Sequence, residues 1–245
     1  MNSFKIKIAN HVLEIVSPYK ISKRYLKDFL SNEAPDVQIE ISNDDVMEKK
    51  YIQGNDLVIK GWQGTIDSSL ILQKISEELF AFDVLLVHGA AISLNDEAFI
   101  FIAPSGTGKT THIQKWLENC KHAFVINGDK PFIKVNPDSP PLVYGSPWAG
   151  KENLYKNTVT PLHSIIVMER GENNSIWQIS SAEAFPYLLK QTYRPLNEQK
   201  MRKTLRLMTN LSKSISFWHF YCNNYKDDCF DIVYKALVQD RESKK

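Results

Sequence analysis

The sequence predicts an α/β fold with a small β-rich domain at its N-terminus. Three observations carry that prediction. The first third reads as short alternating runs between turn residues, a β-rich run near the middle passes directly into a glycine-rich turn and a helix, and the last third alternates strands with helices. A length of 245 residues suits one large domain or a compact domain with an appendage. With 43% hydrophobic and 24% charged residues, the composition is that of a globular chain able to bury a sizeable core.

Residues 1–66 form the expected N-terminal domain. Phe4, Ile6 and Ile8 alternate, as do Val37, Ile39 and Ile41, and Leu57 and Ile59 follow the turn Gly54-Asn55-Asp56. Period two between turns predicts a small antiparallel sheet, with a short helix over 21–30. The second domain is read as 67–245. Asp67 or Ser68 caps a helix reaching about Phe82, with Leu72, Ile75, Leu79 and Phe82 at helical spacing. Runs 84–92 and 98–104 flank the turn Leu94-Asn95-Asp96-Glu97 and predict a hairpin, followed by a helix to Asn119. Strands are expected at 123–127, 131–135, 142–144, 164–169, 175–179 and 215–221, and helices at 181–191, 197–212 and about 227–239. Asp227 and Asp228 would sit at the positive end of that last helix, and the final five residues would fray.

Charge and cysteine usage exclude several classes. Thirty basic against twenty-eight acidic residues leave +2, which gives no footprint for nucleic acid or a membrane surface. No apolar run approaches the roughly 20 residues that span a bilayer, and the alternating N-terminus is not expected to be a signal peptide. Cys120, Cys222 and Cys229 form no CxxC pair, which argues against a disulfide scaffold or a cysteine-rich zinc site. The expectation is a cytoplasmic protein.

The chemistry concentrates at APSGTGKTT, residues 103–111, which departs from the phosphate-loop pattern G-x-x-x-x-G-K-[ST] only by Ala103 in place of the first glycine. Gly106 and Gly108 permit the backbone angles that aim successive N–H groups at phosphate oxygens, and the following helix adds its positive end. Ser105, Gly106, Thr107, Gly108, Lys109, Thr110 and Thr111 are the expected nucleotide contacts. Lys109 reaches the outer phosphates and the Thr110 hydroxyl ligates Mg²⁺. Such chemistry needs a carboxylate at the end of a neighbouring strand. Asp129, just beyond the apolar strand AFVIN, fills that place as metal ligand and catalytic group. The blander alternative is that Asn127-Gly128-Asp129 is only a turn.

The order Val87-His88-Gly89, short hairpin, SGTGKT loop and strand ending in Asp129 resembles the HPr kinase/phosphorylase family and the nucleotide-binding half of phosphoenolpyruvate carboxykinase. The resemblance extends from about Val84 to Ile133. It is nearest to the shorter HPr-kinase-like proteins, some of which phosphorylate peptide precursors. It implies a P-loop kinase domain using ATP and Mg²⁺, with His88 in the place of the family's active-site histidine and Asp129 in that of a catalytic carboxylate. The family often carries paired aspartates where this chain has Gly128-Asp129, so the resemblance implies kinase activity without efficient phosphorolysis.

His88 could equally be a satisfied histidine on an apolar strand, and the remaining histidines are read as structural. In the loop YGSPWAGKEN (144–153), Lys151 could contact phosphate and Glu152 could hold metal or orient an acceptor, or the two could be a solvated ion pair. Residues 190–213 hold seven basic side chains against Glu198, a local +6 that leaves −4 for the rest. Met201, Leu205 and Met208 mark the expected buried stripe there, so most of these charges read as a solvated face, with Arg194 the member placed to reach a site. The function expected is ATP-dependent transfer of a phosphoryl group to a Ser or Thr hydroxyl of a peptide or protein. The alternatives are a small-molecule hydroxyl kinase and a non-catalytic nucleotide-binding module. Oligomeric state, a homo-oligomer included, stays open.

Overall fold

In the computed structural model, which describes residues 2–19, 24–46, 68–226 and 228–243, the N-terminal alternation becomes a hairpin. β1 (Asn2–Ile8) returns antiparallel as β2 (His11–Ser17) through Ala9 and Asn10, both at positive φ, the geometry that matches a tight turn to strand twist. β3 (Val37–Glu40) joins the other edge of β2 in parallel, so the sheet is mixed rather than antiparallel. The long connection through a 3₁₀ turn, Arg24–Phe29, carries the chain back far enough to enter in that direction. Ile6, Leu13, Ile15, Leu26 and Phe29 are buried in this unit. The strand expected around Leu57 and Ile59, its turn, and the capping Asp67 lie outside the described residues.

α1 (Ser68–Leu79) buries Ile71, Leu72, Ile75 and Leu79, runs into a 3₁₀ turn at Phe80–Phe82, and packs on β3. The chain divides into two compact units at Val84/Leu85, later than the 66/67 boundary read from the sequence, and α1 is counted with the first.

The second unit is a mixed sheet with helices on both faces. The expected single strand over 84–92 is two, β4 (Val84–Leu86) at the junction and β5 (Ala90–Leu94). Between them the backbone changes partners: His88 N donates to Gln191 O and Gly89 N to Asp129 O, which ends one ladder before the next begins. β5 turns through Asn95 and Asp96, both at positive φ, into β6 (Glu97–Ile102). There follow α2 (Lys109–Asn119), β7 (Phe124–Asn127), β8 (Phe132–Lys134), β9 (Leu142–Tyr144) and β10 (Val159–Arg170). After them come β11 (Ser175–Ile179), α3 (Ser181–Gln191), α4 (Glu198–Ser214), β12 (Ser216–Cys222) and α5 (Cys229–Ser243). The strand order is β4-β8-β9-β10-β6-β5-β7, with β12 on β10 and β11 on β12. β10 is parallel to β6 and to β12, and its first residues, Val159–Pro161, pair antiparallel with β9.

Period two along the central strands decides which helices they meet. Phe99 and Phe101 of β6, Ile166 and Met168 of β10, and Trp218 and Phe220 of β12 face one way, into a core completed by Ile113 and Trp116 of α2 and Phe230, Val233 and Leu237 of α5. The alternate residues Ile100, Ile165 and Phe217 are also buried, and α3 covers β6 and β12. Ser180 starts α3 with a reciprocal cap, its hydroxyl accepting from Glu183 N while the Glu183 carboxylate accepts from Ser180 N. The buried stripe of α4 is Thr204, Leu207, Met208 and Leu211, so Met201 and Leu205, expected in the stripe, sit at its margin.

Trp116 is fully buried, with ring centroids 6.1 Å from Phe101 and 5.2 Å from Phe230. Trp116→Ala is expected to cost about 3–5 kcal/mol of stability, measured by urea denaturation; a loss below about 1 kcal/mol would mean the sheet–helix core does not depend on it.

Candidate functional site

Parallel pairing brings the carboxyl ends of several strands to one edge. β6, β10 and β12 run together, and β7, antiparallel to β5, runs with them. Loop 103–108 therefore leaves the sheet beside residues 128–130 after β7, Arg170 at the end of β10 and residues 223–226 after β12. This edge is where open α/β sheets bind ligands.

The loop after β6 is held by side chains from the neighbouring strand ends. Gly108, the residue before α2, has φ +110°, and Asn224 Nδ2 donates to its carbonyl at 3.1 Å. That φ strains any residue with a Cβ, and a Cβ there would stand 2.4 Å from the Asn224 nitrogen and displace its hydrogen bond. The Arg170 guanidinium donates to Gly106 O, and the Thr107 hydroxyl donates to Pro104 O at 2.9 Å. Lys109 folds back into the mouth of the loop, donating to Ala103 O at 2.7 Å and to Pro104 O at 3.3 Å. Burial pulls its ammonium below the ordinary lysine value, with Asp129 opposing and Lys130 reinforcing the fall. Ser105 and Gly106 are exposed, and Thr110 and Thr111 lie in the first turn of α2.

Across from the loop, His88 Nε2 lies 3.1 Å from Asp129 Oδ1, and Lys130 Nζ lies 3.6 Å from the same oxygen. Asn127 sets this geometry. Its Oδ1 accepts from Asp129 N at 2.8 Å and Lys130 N at 2.6 Å, while its Nδ2 donates to Ser146 O at 2.8 Å. The turn-forming side chain is thus Asn127, and Asp129 is what the turn presents. Gly150, at φ +78°, lies against it: a Cβ there would be 3.2 Å from Asp129 Cβ. Burial alone raises the Asp129 pKa, but the hydrogen bond from His88 and the charges of Lys130, His88 and Lys109 outweigh it and hold the carboxyl below its ordinary value. Gly128 itself brings no carboxylate, and a Cβ there would stand 3.0 Å from Ala149 O, a tight approach for any side chain at that position.

A cleft of about 340 Å³ adjoins His88, lined also by Lys130, Lys190 and Arg194. It exists because residues after α3 pair with the break between β4 and β5: Tyr193 N donates to Leu86 O, and Thr192 bridges Val87. The structure therefore brings together Lys109, Asp129 and His88 electrostatically, and Arg194 with His88. Lys151 and Glu152 stand exposed on their turn and make no hydrogen bond or ion pair among the described residues; the part of that loop that reaches Asp129 is Gly150. Sequence reasoning missed Asn127, Ser146, Arg170 and Asn224. The Asn-Gly-Asp turn was the signal for Asn127, whereas Arg170 and Asn224 arrive only through the pairing of β10 and β12.

The sequence matches no family model and no curated protein. Among solved structures, the chain is similar to the Hpr(Ser) kinase/phosphatase from Coxiella burnetii, at 9% identity and a TM-score of 0.40, over 65% of this chain and 91% of that one. At that level the site has to be judged on its own residues. No described helix is long and apolar enough to cross a membrane.

Because the folded-state pKa of Asp129 is depressed, its ionised form contributes stability that is complete above the unfolded value of about 3.9 and lost as pH falls through the lower folded value. Denaturation of the wild type and Asp129→Asn should show a gap at about pH 5 that closes as pH falls below about pH 4. A gap equally wide at about pH 3 and pH 6 would contradict the assignment.

Proposed function

We propose that the second unit is an ATP-dependent phosphotransferase of HPr-kinase-like type, acting on a Ser or Thr hydroxyl of a peptide or protein. The observation that carries this reading is the meeting of two things: a phosphate-loop sequence folded as a strand–loop–helix, and a His88–Asp129 pair whose charge is felt at Lys109.

The loop fits Mg·ATP. Among the described residues, nothing lies within 4 Å of where a Gly106 Cβ would be, and Lys109 is tied only to loop carbonyls that a phosphate would replace. Residues 105–111 would hold the phosphates, with Thr110 and Asp129 on the metal. Bound Mg·ATP supplies the phosphoryl group and neutralises its charge. Lys109 stabilises charge where it develops on the transferring group. Asp129, kept ionised by its cationic neighbours, accepts the proton of the acceptor hydroxyl, and His88 orients the carboxylate through Oδ1. Lys130, Lys190 and Arg194 line the cleft in which the acceptor would lie, so that acceptor carries an anionic group near its hydroxyl. The modest cleft volume also favours a second reading, a small hydroxylated anion as acceptor. Incubation with γ-labelled ATP and either peptide or metabolite mixtures separates the two.

Lys109→Ala should lower turnover by about 10²- to 10³-fold, with weakened Mg·ATP binding by calorimetry and unchanged thermal unfolding. Asp129→Asn should keep most nucleotide affinity and lose transfer, because its charge matters more in the transition state than in binding. Wild-type turnover in either variant would end the assignment. With no carboxylate at position 128, phosphorylated acceptor incubated with inorganic phosphate and Mg²⁺ should release no pyrophosphate at a rate near the forward one. Comparable release would show that Asp129 alone supports the reverse reaction.

A further inference from the structure

Behind the nucleotide loop lies a second cluster, built from residues that the proposed chemistry does not use. Cys222 ends β12, Cys229 begins α5, and their sulfurs are 3.4 Å apart. Cys229 Sγ is also 3.4 Å from His112 Nδ1, and all three residues are buried. Asn224 Oδ1 lies 3.3 Å from Cys222 Sγ and 3.4 Å from Cys229 Sγ, while the amide nitrogen of the same side chain donates to Gly108 O.

Three soft ligands this close could hold a metal ion. The tautomer of His112 argues against it. The Trp116 indole, which can only donate, gives its Nε1–H to His112 Nε2 at 3.1 Å. Nε2 is therefore the bare nitrogen and Nδ1 carries the hydrogen, directed at Cys229. A metal on Nδ1 would put the ring hydrogen on Nε2, facing the Trp116 donor, or leave an imidazolate if that bond were kept, whereas histidine ligands donate their second N–H to an acceptor. The same N–H favours a thiolate at Cys229, as does the N-terminus of α5. The hydrogen bond from Cys222, then that from His112, pulls the Cys229 thiol down to about 5, and Cys222 is pushed up correspondingly. An acidic thiol next to a protonated partner is an arrangement for disulfide formation.

We propose that Cys222 and Cys229 form a reversible disulfide, with hydrogen peroxide as oxidant, and that its formation loosens the nucleotide loop through Asn224. The Cys229 thiolate attacks one peroxide oxygen, the O–O bond breaks, and the departing hydroxide takes a proton to become water. The Cys222 sulfur then attacks the resulting sulfenic acid, forming the S–S bond while its proton and the expelled hydroxide leave as a second water. Two thiols and one peroxide thus give one disulfide and two waters. Closing the two sulfurs from 3.4 Å to bonding distance draws the end of β12 and the start of α5 together. Asn224 lies on the segment between them, with Oδ1 seated against both sulfurs, so the direction of its bond to Gly108 O changes as well. Burial of both sulfurs selects a water-sized oxidant over a bulky disulfide such as oxidised glutathione. The effect on nucleotide rests on the function proposed above; the disulfide itself does not.

The test uses the full chain, reduced and then exposed to a few equivalents of hydrogen peroxide, with thiols alkylated and mapped by mass spectrometry. Cys120, only partly buried, serves as internal control. The expected result is a Cys222–Cys229 cross-link, one alkylated thiol at Cys120, and full reversal by dithiothreitol. Oxidation should weaken Mg·ATP affinity by about threefold to tenfold, the range a lost hydrogen bond gives. Cys222→Ser should form no cross-link and show no such change. Three alkylatable thiols after peroxide, loss confined to Cys120, or stoichiometric Zn²⁺ binding that protects both cysteines would overturn the disulfide. A mapped disulfide with unchanged affinity would overturn the coupling. Reduced protein that binds no ATP sinks the nucleotide assignment instead, and leaves the mapped cross-link to be judged alone.

Discussion

The parallel pairing of β10 with β6 on one side and β12 on the other is the constraint from which the rest of the site follows. A parallel ladder forces successive strands to end at the same edge, so loops far apart in sequence emerge together. Arg170 and Asn224 can hold carbonyls of the loop after β6 only because their strands end level with it. An antiparallel β12 would have sent residues 223–226 to the opposite edge. The buried, nearly continuous apolar runs of these strands are what a sheet covered on both faces requires.

Within that frame, the polar side chains near the loops are paired by a few amides. Asn127 uses its oxygen on two backbone N–H groups and its nitrogen on Ser146, so Asp129 is fixed without spending its own oxygens on the turn. Its carboxylate stays available to His88 and to the lysine charges. Asn224 plays the corresponding part for the loop after β6. In both cases an amide serves because one planar group offers acceptor and donors at once.

Much of this was legible in the sequence, and the exceptions have physical causes. The 103–111 pattern fixed the strand, loop and helix around Lys109, because its glycines and its flanking periodicities agree. Asp129 could be named from its place just after the strand AFVIN, and His88 only from the resemblance carried by Val87-His88-Gly89, the hairpin and the loop. The break between β4 and β5 was not legible, since VLLVHGAAI is apolar throughout and only partner exchange with Gln191 and Asp129 interrupts it. The parallel entry of β3 was hidden for a similar reason, because alternation specifies a strand and a face but not a direction. Lys151 and Glu152 looked promising by composition, yet the turn gives Asp129 the small residue beside them. The His112, Cys222 and Cys229 cluster was invisible to spacing rules, which look for ligands on one local segment, whereas this one joins a helix to a distant strand end.

The hairpin turn of β5 and β6 has a practical consequence. Asn95 and Asp96 sit at the start of β6, the far end of the strand from the loop that follows it, and Asp96 is exposed. A tight turn with both central residues left-handed tolerates replacement by a longer linker better than the strands it joins. That turn is therefore the natural attachment point for a fluorophore or a fused reporter domain, one that would leave the carboxyl-edge loops unobstructed on a surface or in a sensor.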